Sequence, residues 1–201
     1  MKIKVLGNVY PPPAEDSWQT AELLRWVLRN RIGKGGALRI VDVGSGTGVL
    51  TLTALEEAVS MGGIVWALSI DLDNNASVNT RINLIDNGLY QHADVITANL
   101  LDAVKAGFRI DIIVSNPPYL PGSWEEDWRI FGGPRGNEVI KQLLRWACLG
   151  RISTIILTQS SFSNWEESVN YLGKCSFKLV MIKVTHYFFE DIITMVFERK
   201  T

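Results

Sequence analysis

Short unbroken runs of apolar residues alternate with longer stretches in which apolar positions recur every three or four residues. That is the pattern of buried strands alternating with helices. Strands are predicted over Leu38–Val43, Ile64–Ile70, Asp94–Ala98, Ile110–Ser115 and Thr154–Leu157. Helical spacing covers Asp16–Arg31, Val49–Met61, Asn74–Asn87, Gly136–Leu149 and Ser163–Lys174. Gly88 and Gly150 stand just past two of these helices, at positions suited to a cap. Phe177–Val184 and Ile192–Arg199 follow one another with no helix between them, so they are expected to pair antiparallel through a short connection.

Repeated strand–helix–strand units imply an α/β fold, a doubly wound and largely parallel sheet with helices on both faces. Residues 1–37 supply one amphipathic helix and its approach, too little for a separate domain, so the chain reads as a single domain over 1–201. The one long irregular stretch runs from Pro117 to Arg135, and connections of that length are usually functional.

Composition narrows the function classes. Lys and Arg number 20 against 21 Asp and Glu, a net charge of −1, which is a poor basis for holding a bare phosphate backbone. Two cysteines, Cys148 and Cys175, and two histidines, His92 and His186, are too few for a disulfide framework or a zinc site. No apolar run approaches the ~18 residues of a membrane span, and the opening MKIKVLGNVYPPP has no apolar signal core. The expectation is a cytoplasmic protein.

Three motifs fall where predicted strands end. Val41-Asp42-Val43 runs into Gly44-Ser45-Gly46-Thr47-Gly48, a turn that brings backbone close to a ligand and opens a helix. The dinucleotide spacing G-x-G-x-x-G would need glycine where Val49 stands, and no Gly-Lys-Ser/Thr follows for a phosphate loop. The G-x-G-x-G spacing, with Asp42 ahead of it, suits a ligand whose head is a cationic amino acid. Asp71 closes the next strand about 20 residues further on, where a carboxylate can accept both hydroxyls of a ribose. Its alternative role as helix N-cap can be filled by Asp73. Asn99-Leu100 ends the third strand, where an adenine edge would lie. After the fourth strand comes Asn116-Pro117-Pro118-Tyr119. Its prolines remove two N–H donors, leaving the Asn116 side-chain and Pro117 main-chain carbonyls to accept both hydrogens of a planar –NH2 group. Tyr119 can stack on the group that carries it.

Together these motifs resemble a class I S-adenosylmethionine-dependent methyltransferase of the amino-methylating kind. Val9-Tyr10-Pro11-Pro12-Pro13-Ala14-Glu15-Asp16-Ser17 upstream and Phe131-Gly132-Gly133-Pro134-Arg135-Gly136 downstream are similar to segments of the HemK-like glutamine methyltransferases. The resemblance implies a Rossmann-like sheet in the order 3-2-1-4-5-7-6 with an antiparallel C-terminal strand. It implies S-adenosylmethionine as cofactor, held by Ser17, Asp42, Gly44, Gly46, Gly48, Asp71, Asn99 and Leu100. Asn116, Pro117 and Tyr119 are then catalytic, and no metal is expected. The implied acceptor is the glutamine of the Gly-Gly-Gln loop of a class-1 translation release factor. Members usually carry aspartate where this chain has Asn99; asparagine keeps an acceptor oxygen, so weaker adenine binding is expected rather than none. The short N-terminal segment resembles the archaeal and eukaryotic branch, whose members work with a small zinc-binding activator. The expected contact is the edge strand along residues 92–98, with Trp66 and Tyr90 adding apolar area and proline at Ile96 deleting an outward donor.

The –NH2 geometry of N-P-P-Y does not by itself choose an acceptor. Adenine N6 in DNA, an exocyclic amine in RNA and a protein lysine fit the same motif, and a catalytically silent scaffold is the rival from another class. The basic residues Arg25, Arg29, Arg31, Lys34 and Arg39 cluster around the first helix, whereas the long loop carries Glu125, Glu126 and Asp127 between Trp124 and Trp128. That pattern favours a protein partner over nucleic acid.

Overall fold

The computed structural model describes residues 1–11, 15–32, 36–105 and 107–200. Pro12, Pro13 and Ala14 of the upstream segment, and Lys34 of the basic cluster, lie outside them. In chain order the elements are α1 (Glu15–Ile32), β1 (Ala37–Val43), α2 (Val49–Ser60), β2 (Ile64–Asp71), α3 (Asn74–Asp86), β3 (Ala93–Thr97), β4 (Arg109–Ser115), α4 (Trp124–Asp127), α5 (Glu138–Leu149), β5 (Arg151–Ser160), α6 (Trp165–Lys174), β6 (Phe177–Tyr187) and β7 (Glu190–Arg199). The strands form one seven-stranded sheet in the order β3-β2-β1-β4-β5-β7-β6. β1 to β5 run parallel, and β7 is antiparallel to both neighbours. The strand–helix alternation implied a largely parallel sheet, and this strand order with its antiparallel C-terminal strand is the Rossmann-like methyltransferase fold that the resemblance implied.

Why the middle strands read as continuous apolar runs is visible in their packing. Ile112 and Val114 point into a core shared with α1, α2 and α3, while Ile110 and Ile113 point into a second core under α5 and α6. A strand covered on both faces has no polar side to alternate with. The polar end of β5 extends past the predicted strand for a complementary reason. Thr158, Gln159 and Ser160 are fully buried, and Thr158 shares hydroxyl hydrogen bonds with Thr20 of α1 and Thr194 of β7. The β6–β7 hairpin likewise runs three residues beyond Val184 and begins its return two residues before Ile192.

α3 bears asparagines at Asn79, Asn83 and Asn87, one helical turn apart. Their amides grip the N-terminal backbone as a strand would: Leu6 N–H donates to Asn79 Oδ1 at 2.7 Å, Lys4 N–H to Asn83 Oδ1 at 2.8 Å and Lys2 N–H to Asn87 Oδ1 at 2.8 Å. Asn83 Nδ2 also donates to the Thr47 carbonyl at 2.8 Å, so the ladder ties the N-terminal segment to the glycine turn.

β3 forms one edge of the sheet. Ala98 N–H donates to the Asp71 carbonyl at 2.9 Å. In a parallel strand, the polar groups of alternate residues face the same neighbour, so Ile96 also faces β2, and Val95 and Thr97 face outward. The expectation for proline at Ile96 is therefore corrected: it would remove a bond to β2, and Val95 is the outward donor. Trp66 meets Phe108 edge-on at 6.2 Å and Tyr90 lies under the Arg81 guanidinium at 5.1 Å, so both rings already have partners within the chain.

The two cysteines, predicted only to be too few for a framework, form a Cys148–Cys175 disulfide with their Cα atoms 5.3 Å apart, joining the ends of α5 and α6. Among the described residues no helix is long and apolar enough to cross a membrane, and no group of three His, Cys, Asp or Glu side chains is placed to hold a metal.

Candidate active site

The carboxyl ends of β1, β2, β3 and β4 open onto a cavity of about 470 Å³. Of the residues singled out from sequence, Ser17, Gly44, Gly46, Asp71, Asn99, Leu100, Asn116, Pro117 and Tyr119 line it; Asp42 and Gly48 do not. Gly48 turns away with φ +80°, and a Cβ there would meet the Thr80 side chain at 2.9 Å. Its lack of a side chain lets α2 and α3 approach.

Asp42 is fully buried behind the glycine turn. Its Oδ2 accepts from the Thr51 N–H at 3.1 Å and the Thr51 hydroxyl at 2.7 Å, while Oδ1 has no partner. Burial pushes its pKa up to about 7 against the opposing pull of the Thr51 bonds, and the nearby Asp71 charge adds to the rise. A carboxyl whose pKa is raised by folding binds a proton in the native state that the unfolded chain releases above about 3.9. Its contribution to stability is thus greatest below that value and falls as the pH rises through the folded pKa. Asp42→Asn should remove up to about 1.4 kcal/mol of stability loss per pH unit between about 4 and 7. Denaturant melts of the cofactor-free protein at several pH values, run beside the wild type, check this; parallel curves would count against it.

Asp71 is freed by Asp73, whose side chain caps α3 by accepting from Asn75 N–H. Asp71 Oδ1 accepts from Asp73 N–H at 2.9 Å and Oδ2 from Gly46 N–H at 2.8 Å. Burial raises its pKa although these bonds oppose the rise. Since a carboxylate can accept about four hydrogen bonds, lone pairs remain for a ligand. At the end of β3, Leu100 adopts a left-handed backbone at φ 48°, and Asn99 Nδ2 donates to Asp102 Oδ2 at 3.2 Å.

The N-P-P-Y end of the cavity is assembled from two distant segments. α1 begins with Glu15 and Asp16, charges suited to a helix N-terminus, and its first turn clamps the N-P-P-Y motif. Asn116 Nδ2 donates to Ser17 Oγ at 3.3 Å, and the Tyr119 hydroxyl donates to Asp16 Oδ2 at 2.8 Å. Asn116 Oδ1 is left buried without a partner. Burial, then the Asp16 charge, pushes the Tyr119 phenol far above its usual range, and burial with Asp16, Glu190 and Glu15 pushes Tyr10 up to about 12. Both phenols thus remain protonated at neutral pH.

The long loop holds this motif from the other side. Leu120 N–H donates to the Ile130 carbonyl at 3.0 Å and Gly132 N–H to the Leu120 carbonyl at 2.9 Å. A Cβ at Gly132 would sit 2.4 Å from the Pro118 carbonyl oxygen, and one at Gly136 would sit 2.2 Å from that of Tyr119. The glycines of Phe131–Gly136 therefore permit backbone to lie on backbone. Sequence reasoning did not assign Tyr10, Asp16, Trp124, Trp128 or Arg129 to the cavity, yet all five line it. α4, which brings Trp124 in, is four residues long, too short for apolar periodicity to register.

The chain is similar to known methyltransferases. The family model for the methyltransferase small domain matches residues 14–130. A release factor glutamine methyltransferase of Agrobacterium fabrum is 33% identical over 108 residues, 54% of this chain and 35% of its own length. The chain thus spans about a third of that relative. A putative protein N5-glutamine methyltransferase of Methanocaldococcus jannaschii is 24% identical over 207 residues, with 97% of this chain and 94% of that protein covered. Among solved structures, the E. cuniculi Mtq2–Trm112 complex responsible for the methylation of the eRF1 translation termination factor is similar in fold, with a TM-score of 0.69 at 22% identity. That likeness covers 96% of this chain and 99% of the solved one.

Proposed function

The chain belongs to the methyltransferase small domain family, and on that premise we propose that it methylates the side-chain amide nitrogen of a protein glutamine, in the Gly-Gly-Gln loop of a class-1 translation release factor. The observation that carries this reading is the buried, unpartnered Asn116 Oδ1 in the wall of a cavity that Asp71 also lines. An orphaned buried acceptor is costly unless something donates to it, and the amide N–H of an acceptor glutamine does so.

The cavity fits S-adenosylmethionine: the glycine turn supplies close backbone, Asp71 the ribose acceptor, and Leu100 an apolar wall. When bound, that cofactor supplies a methyl group already activated on a sulfonium that leaves as a neutral thioether. The chain's own work is placement. Ser17 fixes the Asn116 amide so that its oxygen faces the acceptor, and the Pro117 carbonyl offers a second acceptor beside it. As the amide nitrogen is alkylated it becomes cationic, so its hydrogen bonds to these oxygens strengthen in the transition state. The nitrogen's proton becomes acidic only as the new bond forms, so no strong base is needed before attack.

The test is methyl transfer from labelled cofactor to a release factor, to the same factor with its Gly-Gly-Gln glutamine changed to alanine, and to DNA and RNA. Transfer to the first alone is expected. Salt-sensitive methylation of nucleic acid would sink the reading.

A partner belongs to the same proposal. The free edge of β3 is open to strand addition by the small zinc-binding activator of the branch that this chain resembles, and the E. cuniculi relative works in a two-protein complex. Val95→Pro, which removes an outward N–H, should abolish co-purification with such an activator and leave the thermal midpoint of the lone chain within a few degrees. A fully active monomer, indifferent to the activator and to this substitution, would refute the pairing.

A further inference from the structure

The rim of the cavity on its acceptor side has a chemistry that the transfer step does not use. On one side stand α4 and the residue that caps it, with Trp124 and Trp128 exposed by 48% and 42% while lining the cavity. Glu125 and Glu126 lie on the open surface between them. The β6–β7 turn carries Phe188 and Phe189, 91% and 90% exposed, and the charge of Glu190 beside them reaches Tyr10 and Tyr119 of the cavity wall. β6 runs parallel to β5, both being antiparallel to β7, so this turn reaches the same carboxyl edge as the cavity. Gln19 of α1 anchors the hairpin by donating to the Ile192 and Lys183 carbonyls at 3.0 Å. Asp16, almost one helical turn earlier, accepts from the Tyr119 hydroxyl, and the charges of Asp16 and Glu190 both reach that ring.

Most cations near this rim are already paired. Arg129 is held by Asp127 at 2.7 Å, Lys141 by Glu167 at 3.2 Å and Lys183 by Glu22, and the His186 ring shares a hydrogen bond with Asp191 at 2.7 Å. Among the described residues, Glu15, Glu125, Glu126 and Glu190 have no cationic partner, and Glu190 Oε1 is buried with no hydrogen bond. Arg135 is the cation of the long loop left without a carboxylate among the described residues. Two adjacent phenylalanines in water and four unmatched carboxylates make the rim apolar and negative together. Exposed apolar groups rimmed by charge mark an interaction surface.

We propose that this rim docks a basic segment of the protein substrate, its lysines and arginines meeting Glu125, Glu126 and Glu190 while their stems lie on Trp124, Trp128, Phe188 and Phe189. Cations over aromatic faces and beside carboxylates are favoured by both partners. The same charges repel a phosphate backbone. The inference rests on the reading of the acceptor as a protein, and it names what that protein must present.

Two variants of the full chain test it, Glu125→Lys/Glu126→Lys and Phe188→Ala/Phe189→Ala, all at exposed positions that touch no cofactor. With a release factor as acceptor, each variant should raise KM about tenfold, with kcat within twofold and cofactor affinity unchanged. A labelled Gly-Gly-Gln peptide flanked by arginines, followed by fluorescence anisotropy, should bind the wild type, weaken with salt and bind both variants worse. The same peptide flanked by glutamates should not bind. Variant-sensitive binding without any methylation of the release factor would support the docking surface while removing the glutamine assignment. Release-factor methylation with KM and anisotropy unmoved by both variants would overturn the docking surface and leave the assignment standing. Tighter binding of a single-stranded RNA than of the basic peptide would overturn it as well.

Discussion

Asp71→Ala is expected to abolish measurable cofactor binding while the fold survives. The carboxylate stands at the end of β2 with both oxygens fixed by Gly46 and Asp73 N–H groups, and the ribose hydroxyls would add two charge-assisted hydrogen bonds. Each is worth roughly 1.5–3 kcal/mol, so losing both should weaken binding by at least ~100-fold. The cost to the cofactor-free protein should be small. Burial already disfavours the charged form of this group, as its raised pKa shows, and Asp73 rather than Asp71 caps α3. Gly46 N–H would lose its partner, but it borders a cavity where water can replace it. Calorimetry with S-adenosylmethionine, beside a thermal melt of the apo chain, separates the two effects. An unchanged affinity would remove Asp71 from the site; a collapsed melt would make its role structural.

What could be read from the sequence, and what could not, divides along a physical line. Strands buried on both faces, such as Ile110–Ser115, announce themselves because apolar residues occupy both faces with Asp111 as the single interruption before Ser115, and the glycine turn and N-P-P-Y are local in the chain. The end of β5 was missed because Thr158, Gln159 and Ser160 are polar residues made internal by partners at Thr20 and Thr194, which lie far away in sequence. The clamp between Asp16-Ser17 and Asn116–Tyr119 spans about a hundred positions, and local spacing carries no trace of it. Asp42 was read toward a ligand from its place before the glycines. The structure turns it inward onto Thr51, because side chains alternate along a strand. The asparagine ladder of α3 did leave a signal, since three asparagines at helical spacing make an odd helix face. Its meaning depended on the extended N-terminal segment whose backbone lies against it.

Asn116→Ala should do the reverse of Asp71→Ala: cofactor affinity retained and turnover lost. The substitution removes the unpartnered Oδ1, the proposed contact to the acceptor nitrogen, and the donor to Ser17 Oγ. An interaction that strengthens only as charge develops is felt in kcat more than in KM. Loss of one such preorganised polar group costs about 10²–10³ in kcat at comparable sites, and a similar fall is expected here. Ser17→Ala provides the control. It removes the bond that fixes the amide plane, leaves Oδ1 in place, and should lower kcat by a fewfold, with any fall in cofactor affinity marking the cofactor contact that the resemblance implies for Ser17. The order of the two effects discriminates between roles. If Asn116 serves to hold α1 against the N-P-P-Y turn, both variants should fall together and the thermal midpoint should fall with them. If it binds the acceptor, Asn116→Ala should fall much further than Ser17→Ala at an unchanged midpoint. Turnover of Asn116→Ala within a fewfold of wild type, on a substrate that the wild type methylates, would show that the reacting nitrogen is held elsewhere.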